Sequence, residues 1–205
     1  MKRLLTLVML LCGVWLLPSE TSAQFSLGKL WGAVTGDDNQ PSRYDKLADA
    51  APAYSDLLGT WYYSSAKVDY FGDSMLAEYA ISELDTIAQD LLKSYGVESG
   101  FFKVTIKRNG SIVGSVGDES LEGKFTYDQE DAEVELRVTL MDVDLTCDGY
   151  VEQYNNRLKV YVDAGDILDA YKRLGVDYNS SMLDLAREVV TRFDDIYIAI
   201  SFSRS

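Results

Sequence analysis

The feature that most constrains this chain is a two-residue apolar period that sets in at Phe101 and returns until the C-terminus. Phe102, Val104 and Ile106 alternate with Lys103, Thr105 and Lys107. Val134, Leu136, Val138 and Leu140 repeat the pattern, as do Val143, Leu145 and Cys147, then Leu158, Val160 and Val162, and finally Ile196, Ile198, Ile200 and Phe202. Successive side chains of a strand point to opposite faces, so each segment has one apolar and one wet side. The spacing predicts strands at 111 to 116, 121 to 127, 133 to 140, 143 to 153, 157 to 163 and 196 to 203. A first strand runs from Gly59, Thr60 and Trp61 to Tyr70. Asn109-Gly110 signals a hairpin because both residues tolerate positive φ, and Asn155-Asn156 marks another turn. Between Leu140 and Val143 the apolar phase slips by one, which demands a tight turn or a bulge at Met141 and Asp142. Seven or eight such strands predict an antiparallel up-and-down meander. About eight strands with one apolar face hide their edges by closing into a barrel, first strand against last. An interior of that size either fills with its own side chains or holds one small ligand.

Helical periodicity interrupts the strands. Residues 74 to 95 carry Met75, Leu76, Tyr79, Ala80, Leu84, Ile87, Ala88, Leu91, Leu92 and Tyr95 at three- and four-residue spacing, with Asp73 placed to cap and Gly96 just past the end. Glu78, Glu83, Asp85, Gln89 and Lys93 form the opposite, solvent-facing side. A short helix is expected at 43 to 50. Two more precede the last strand, one near 166 to 174 ending at Gly175 and one near 181 to 193, where Ser181 and Asp184 have capping-box spacing. The fold class is therefore mostly β with added helices (α+β), with one long helix after the first strand and two before the last.

Residues 1 to 23 read as an export signal. Lys2 and Arg3 open it, Leu4 to Leu17 form an apolar core, and Thr21, Ser22 and Ala23 a small-residue cleavage site before Gln24. The core stops at Pro18, short of the ~20 residues a membrane helix needs. Lipid attachment at Cys12 is disfavoured by Leu11, which is not the small residue such processing prefers. Residues 24 to 42, with Gly28, Gly32, Gly36, Pro41 and the polar run Asp37 to Gln40, read as a flexible leader, and 43 to 205 as a single domain. The destination is periplasm, cell envelope or exterior.

The whole chain has a formal charge of −14, and loss of the signal leaves the mature chain more negative still, because two basic residues and one acidic residue depart with it. Nucleic acid is excluded as a partner, since phosphate binding needs a basic face, and anionic lipid surfaces are disfavoured alike. The chain contains no histidine and two cysteines, one of them in the signal. That removes Ser-His-Asp and Cys-His nucleophiles, His-containing zinc sites and the usual general base near neutral pH. No cofactor and no metal are expected.

Gly59, Thr60 and Trp61, opening the first strand, resemble the Gly-x-Trp signature of lipocalins and their calycin relatives. The order of elements is more specifically similar to uncharacterised, secreted lipocalin-like proteins of Bacteroidetes-type bacteria. It includes the segment Phe102 to Ser111, the Gly123 to Tyr127 step, two late helices and a closing apolar strand, and covers roughly Leu57 to Arg204. The resemblance implies a lipocalin-like barrel in which Trp61 packs at the closed end beneath Arg204, so that Gly59, Trp61 and Arg204 are structural. The helices depart from the lipocalin plan and could plug the mouth.

Several candidate sites follow. Trp61, Tyr63, Phe102, Phe125 and Tyr127 could contact a small, largely apolar ligand inside the barrel, or belong to a solid core; nothing polar interrupts the inward faces to orient a ligand. Asp144, Thr146, Asp148 and Gly149 mimic the start of a calcium loop, but the twelfth position is Asn155 rather than glutamate. Asp194 with Asp195, or Asp142 with Asp144, could pair as glycosidase carboxylates, or be ordinary turn residues. Tyr54, Tyr62, Tyr63 and Tyr70 cluster around the first strand, either as an interface or as cover for the barrel. The leading expectation is an exported binding protein without catalysis for a small apolar ligand; the alternative is an envelope module with a filled barrel that binds a protein or glycan.

Overall fold

A computed structural model describes residues 42–94, 96–140, 142–174 and 181–204; the expected export signal and nearly all of the expected leader lie outside the described residues. Eight antiparallel strands close into a barrel in sequence order. They are β1 (Gly59–Tyr70), β2 (Lys103–Ile106), β3 (Ser111–Val116), β4 (Glu119–Asp128), β5 (Glu133–Leu140), β6 (Val143–Tyr154), β7 (Arg157–Asp163) and β8 (Ile196–Ser203). Closure is made by β1 on β8, with Tyr63 opposite Phe202 and Ala66 opposite Ile200, and a bulge at Ser64. The expected pairing of the first strand with the last is therefore present, and the barrel has no outer strand.

The turns follow their residues. Between β5 and β6 the phase slip is taken up by a tight turn rather than a bulge, since Leu140 pairs directly with Val143 and Asp142 has φ +62; Met141 lies outside the described residues. Tyr154 likewise pairs with Arg157 across Asn155, at φ +54. At the β2–β3 hairpin only Gly110, at φ +76, takes the left-handed conformation. Asn109 instead accepts from the Ser111 amide through its side chain, at 3.1 Å, so the hairpin signalled by Asn109-Gly110 is present with one of the two residues left-handed.

Among the described residues five helices accompany the strands: α1 (Arg43–Asp49), α2 (Tyr54–Leu57), α3 (Met75–Ser94), α4 (Ala164–Arg173) and α5 (Ser181–Arg192). The single turn of α2 is too short to show in the apolar pattern. Ser42 and Asp45 form a capping box on α1. The cap of α3 is Ser74 rather than Asp73, its hydroxyl accepting from the Ala77 amide at 3.3 Å. Gly96, at φ +68, closes the same helix: its amide donates to Lys93 O, and that of Val97 to Leu92 O, a left-handed C-terminal cap. Asp163 caps α4, accepting from Gly165 and Asp166. Gly175, Tyr95 and the Ser181–Asp184 side chains lie outside what is described.

The solvent-facing side expected for α3 needs a second correction. Strand β2 spans only four residues and pairs with β1 from Gly59 to Tyr62, so the upper part of β1 has backbone groups with no strand partner on that side. Asp85 accepts from the Val68 amide at 2.8 Å, and the Gln89 amide donates to Ala66 O. Two polar side chains of α3 thus finish the wall where β2 stops, because buried backbone groups must be paired.

Candidate binding site on the barrel wall

Most inward positions are buried, while Ile112, Leu136 and Val138 on β3 and β5 are only partly so. At the closed end Trp61 is fully buried, its indole N–H donates to Leu57 O at 2.8 Å, and the Arg204 guanidinium lies 4.0 Å from its ring centroid. Gly59 sits beside that pair at φ +118, with Arg204 3.9 Å from where a Cβ would project. Above Trp61, Tyr63 stacks on Phe102 with centroids 4.9 Å apart, and Phe102 meets Phe202 edge-on at 5.6 Å. Burial pushes the Tyr63 phenol up to about 12. Phe125 is buried in the same core. Tyr127 stands half-buried at the closed rim, stacked on Tyr54, its hydroxyl donating to Pro52 O at 2.7 Å.

Helices close the other end. Leu84 of α3, Ile167 of α4 and Ala186 of α5 pack against Val68 and Ile198. Among the described residues a small, partly open apolar pocket of about 40 Å³ lies inside the barrel, lined by Val104, Ile112, Leu121, Leu136, Val138 and Cys147. That is far below the ~300 to 1,000 Å³ of ordinary ligand pockets, and the walls are almost wholly apolar.

The carboxylate candidates are dispersed. Asp144, Thr146 and Asp148 alternate along the outer side of β6, opposite Thr139, Arg137 and Glu135 respectively, so their oxygens do not converge. Among the described residues no group of three or more acidic or cysteine side chains is arranged to hold a metal ion. Asp195 has φ +64 and accepts from Tyr44 Oη at 2.5 Å, while Asp194 is exposed. The four tyrosines of the first-strand region divide: Tyr63 is core, Tyr54 and Tyr70 are half-buried cover, and Tyr62 is exposed.

The outer wall carries the concave surfaces. One, about 550 Å³, is bordered by Asp128, Glu133, Glu135, Asp148, Tyr150 and Asp166. Burial, together with the neighbouring charges of Asp163, Asp148 and Asp169, raises the Asp166 carboxyl above its ordinary value even though it accepts the Asp148 amide. Next to this face α1 lies on the barrel. Arg43 grips Asp69 with both guanidinium nitrogens, at 2.8 and 3.2 Å, and its charge sits 4.4 Å above the Phe71 ring.

The second groove, about 370 Å³, crosses β1, β8, β7 and β6. Its first row is set by register: Tyr62 is opposite Ser203, Ser203 opposite Arg157, and Arg157 opposite Tyr154. The next row runs Ser65, Ser201, Lys159, Glu152. The bulge at Ser64 adds one hydroxyl between them, as bulges re-aim side chains. Tyr154 is 74% exposed and Tyr62 37% exposed. Lys159 approaches Glu152 at 3.5 Å, and Glu152 also accepts from Tyr161 at 2.8 Å. Sequence reasoning missed Tyr154 and Arg157. A signal was available, because a two-residue turn at Asn155-Asn156 sets its flanking residues side by side.

A closed eight-stranded antiparallel barrel with a tryptophan under an arginine at one end and helices across the other defines a lipocalin-like barrel protein. The chain belongs to the family of the lipocalin-like domain DUF4923, which matches over residues 34–204. Both the resemblance and the barrel expected from the sequence are thereby borne out. A crystal structure of a DUF4847 family protein from Bacteroides vulgatus ATCC 8482 is similar at 16% identity, over 72% of this chain and 92% of that one, with a TM-score of 0.37. No curated protein matches. Among the described residues no helix is long and apolar enough to cross a membrane.

Proposed function

We propose that the mature protein is an exported, non-catalytic binding protein that takes its ligand on the outer wall of a filled barrel. The observation that carries this reading is the lumen: about 40 Å³ of void among apolar side chains, against the ~300 to 1,000 Å³ of ordinary ligand pockets. Of the two expectations set out from the sequence, a small apolar guest and a filled interaction module, that volume favours the second. The wall supplies concavities within the pocket range, at about 370 and 550 Å³.

Export is supported by the Lys2-Arg3 start, the apolar core and the Ala23 cleavage site. The absence of catalysis is supported by a chain without histidine and by carboxylates held in turns and along strands. Native mass spectrometry of protein purified from its own cells tests the reading. The expected spectrum is the mature chain beginning at Gln24 with no co-purifying small molecule; a stoichiometric apolar guest would overturn it.

A further inference from the structure

The groove across β1, β8, β7 and β6 has a chemistry that selects a ligand class. Its lining is mainly hydroxylic and charged, with four serines at 64, 65, 201 and 203 beside Arg157, Lys159 and Glu152, over the buried Leu158 and Phe202. Its rim holds Tyr154, one of the most exposed large apolar side chains among the described residues, and Tyr62 is exposed at the far end of the same row. Three strand spacings separate the two tyrosines, ~14 Å along the wall. The Arg157 guanidinium, between them, has no hydrogen-bond, ionic or ring partner among the described residues. Five donors on a planar cation whose cross-strand neighbour is Tyr154 are a recognition element left open.

We propose that this groove is a saccharide-binding site, an inference that rests on the outer-wall reading above. A sugar ring presents one face of C–H bonds and a rim of hydroxyls. The first suits the electron-rich face of Tyr154; the second suits serine hydroxyls that both donate and accept, Arg157 that donates and Glu152 that accepts. A polypeptide fits less well on two counts. A protein hot spot needs an apolar, desolvated centre, whereas here Leu158 and Phe202 are buried and the accessible side chains are serines, Arg157, Lys159 and Glu152. Strand addition needs a free edge, whereas both edges of β7 and β8 are paired along the groove.

The test titrates the mature protein against immobilised short oligosaccharides, neutral in one arm and bearing uronic acids in the other. Saturable binding is expected in at least one arm, weakened about tenfold or more by Tyr154→Ala and by Arg157→Ala, as for removal of a hot-spot side chain, and retained by Tyr154→Phe. Both alanine positions are exposed, and unchanged circular dichroism would verify folding. Absence of binding in both arms, or binding indifferent to both alanine substitutions, overturns the saccharide assignment. So does a polypeptide partner cross-linked through Tyr154 and uncompeted by sugar, which leaves the outer-wall reading standing. A guest found inside the barrel overturns the outer-wall reading itself.

Discussion

The Arg204 guanidinium stacks 4.0 Å above the Trp61 ring while one of its nitrogens donates to Asp56 O at 2.6 Å and Leu58 O at 2.7 Å. One side chain therefore covers the buried indole and ties the end of α2, where carbonyls lack helical partners, to the end of β8. Arg204→Ala is expected to lower stability by about 2 kcal/mol, from a partly exposed cation–π contact and its charged hydrogen bonds. Arg204→Lys should recover less than half, because an ammonium cannot both stack and bridge two carbonyls. Urea unfolding curves of the three proteins check this.

Gly149 lies where β6 presses against β7. A Cβ there would sit 1.8 Å from Tyr161 O, a collision with backbone rather than with a movable side chain. Gly149→Ala is expected to cost more than about 3 kcal/mol or to prevent folding. Thermal unfolding of the variant decides; a shift of only a degree or two would show that the two strands separate easily.

Phe102 joins Tyr63 to Phe202 through ring contacts and is almost completely buried. Phe102→Ala should destabilise by about 3 to 5 kcal/mol and leave a dry void able to take benzene. Benzene is then expected to raise the melting temperature of the variant and leave that of the parent unchanged.

Asp69 anchors α1. Burial alone would raise its carboxyl, but the pairs with Lys67 at 3.0 Å and Arg43 at 2.8 Å outweigh burial and hold the group below the ordinary carboxylate value. A depressed acid stabilises the fold above its unfolded value, ~3.9, and loses that contribution as pH falls through the folded one. Asp69→Asn is therefore expected to be less stable than the parent at pH 7 by about 1 kcal/mol, since both partners are partly solvated. The gap should narrow as pH drops below about 4. Denaturant midpoints measured across acidic pH check the sign; a constant gap would contradict it.

The strands are readable in the sequence because one physical rule, burial of alternate side chains, acts locally and repeats from Phe102 to Phe202. The phase slip at Leu140 and Val143 even locates a turn. The distribution of roles on the wall is not readable. Tyr62, Ser203, Arg157 and Tyr154 form one row only through the registers of three strand pairs, and the bulge at Ser64 has no glycine or proline to announce it. Asp85 and Gln89 read as solvent-facing because their pattern is that of an amphipathic helix. Their true task follows from the shortness of β2, a property of a segment elsewhere in the chain. Whether the lumen is open or filled also depends on three-dimensional packing, since apolar inward faces suit both.

Between Trp61 at one end and Leu84 at the other, the barrel leaves no room for a drug-sized guest beyond the pocket of about 40 Å³ beside Cys147. A high-resolution crystal structure of protein purified from its own cells measures this most directly. The expected density inside the barrel is that of the chain's own side chains, with at most one water-sized feature beside Cys147. Continuous, elongated density between Phe102 and Leu145, belonging to no residue of the chain, would contradict it.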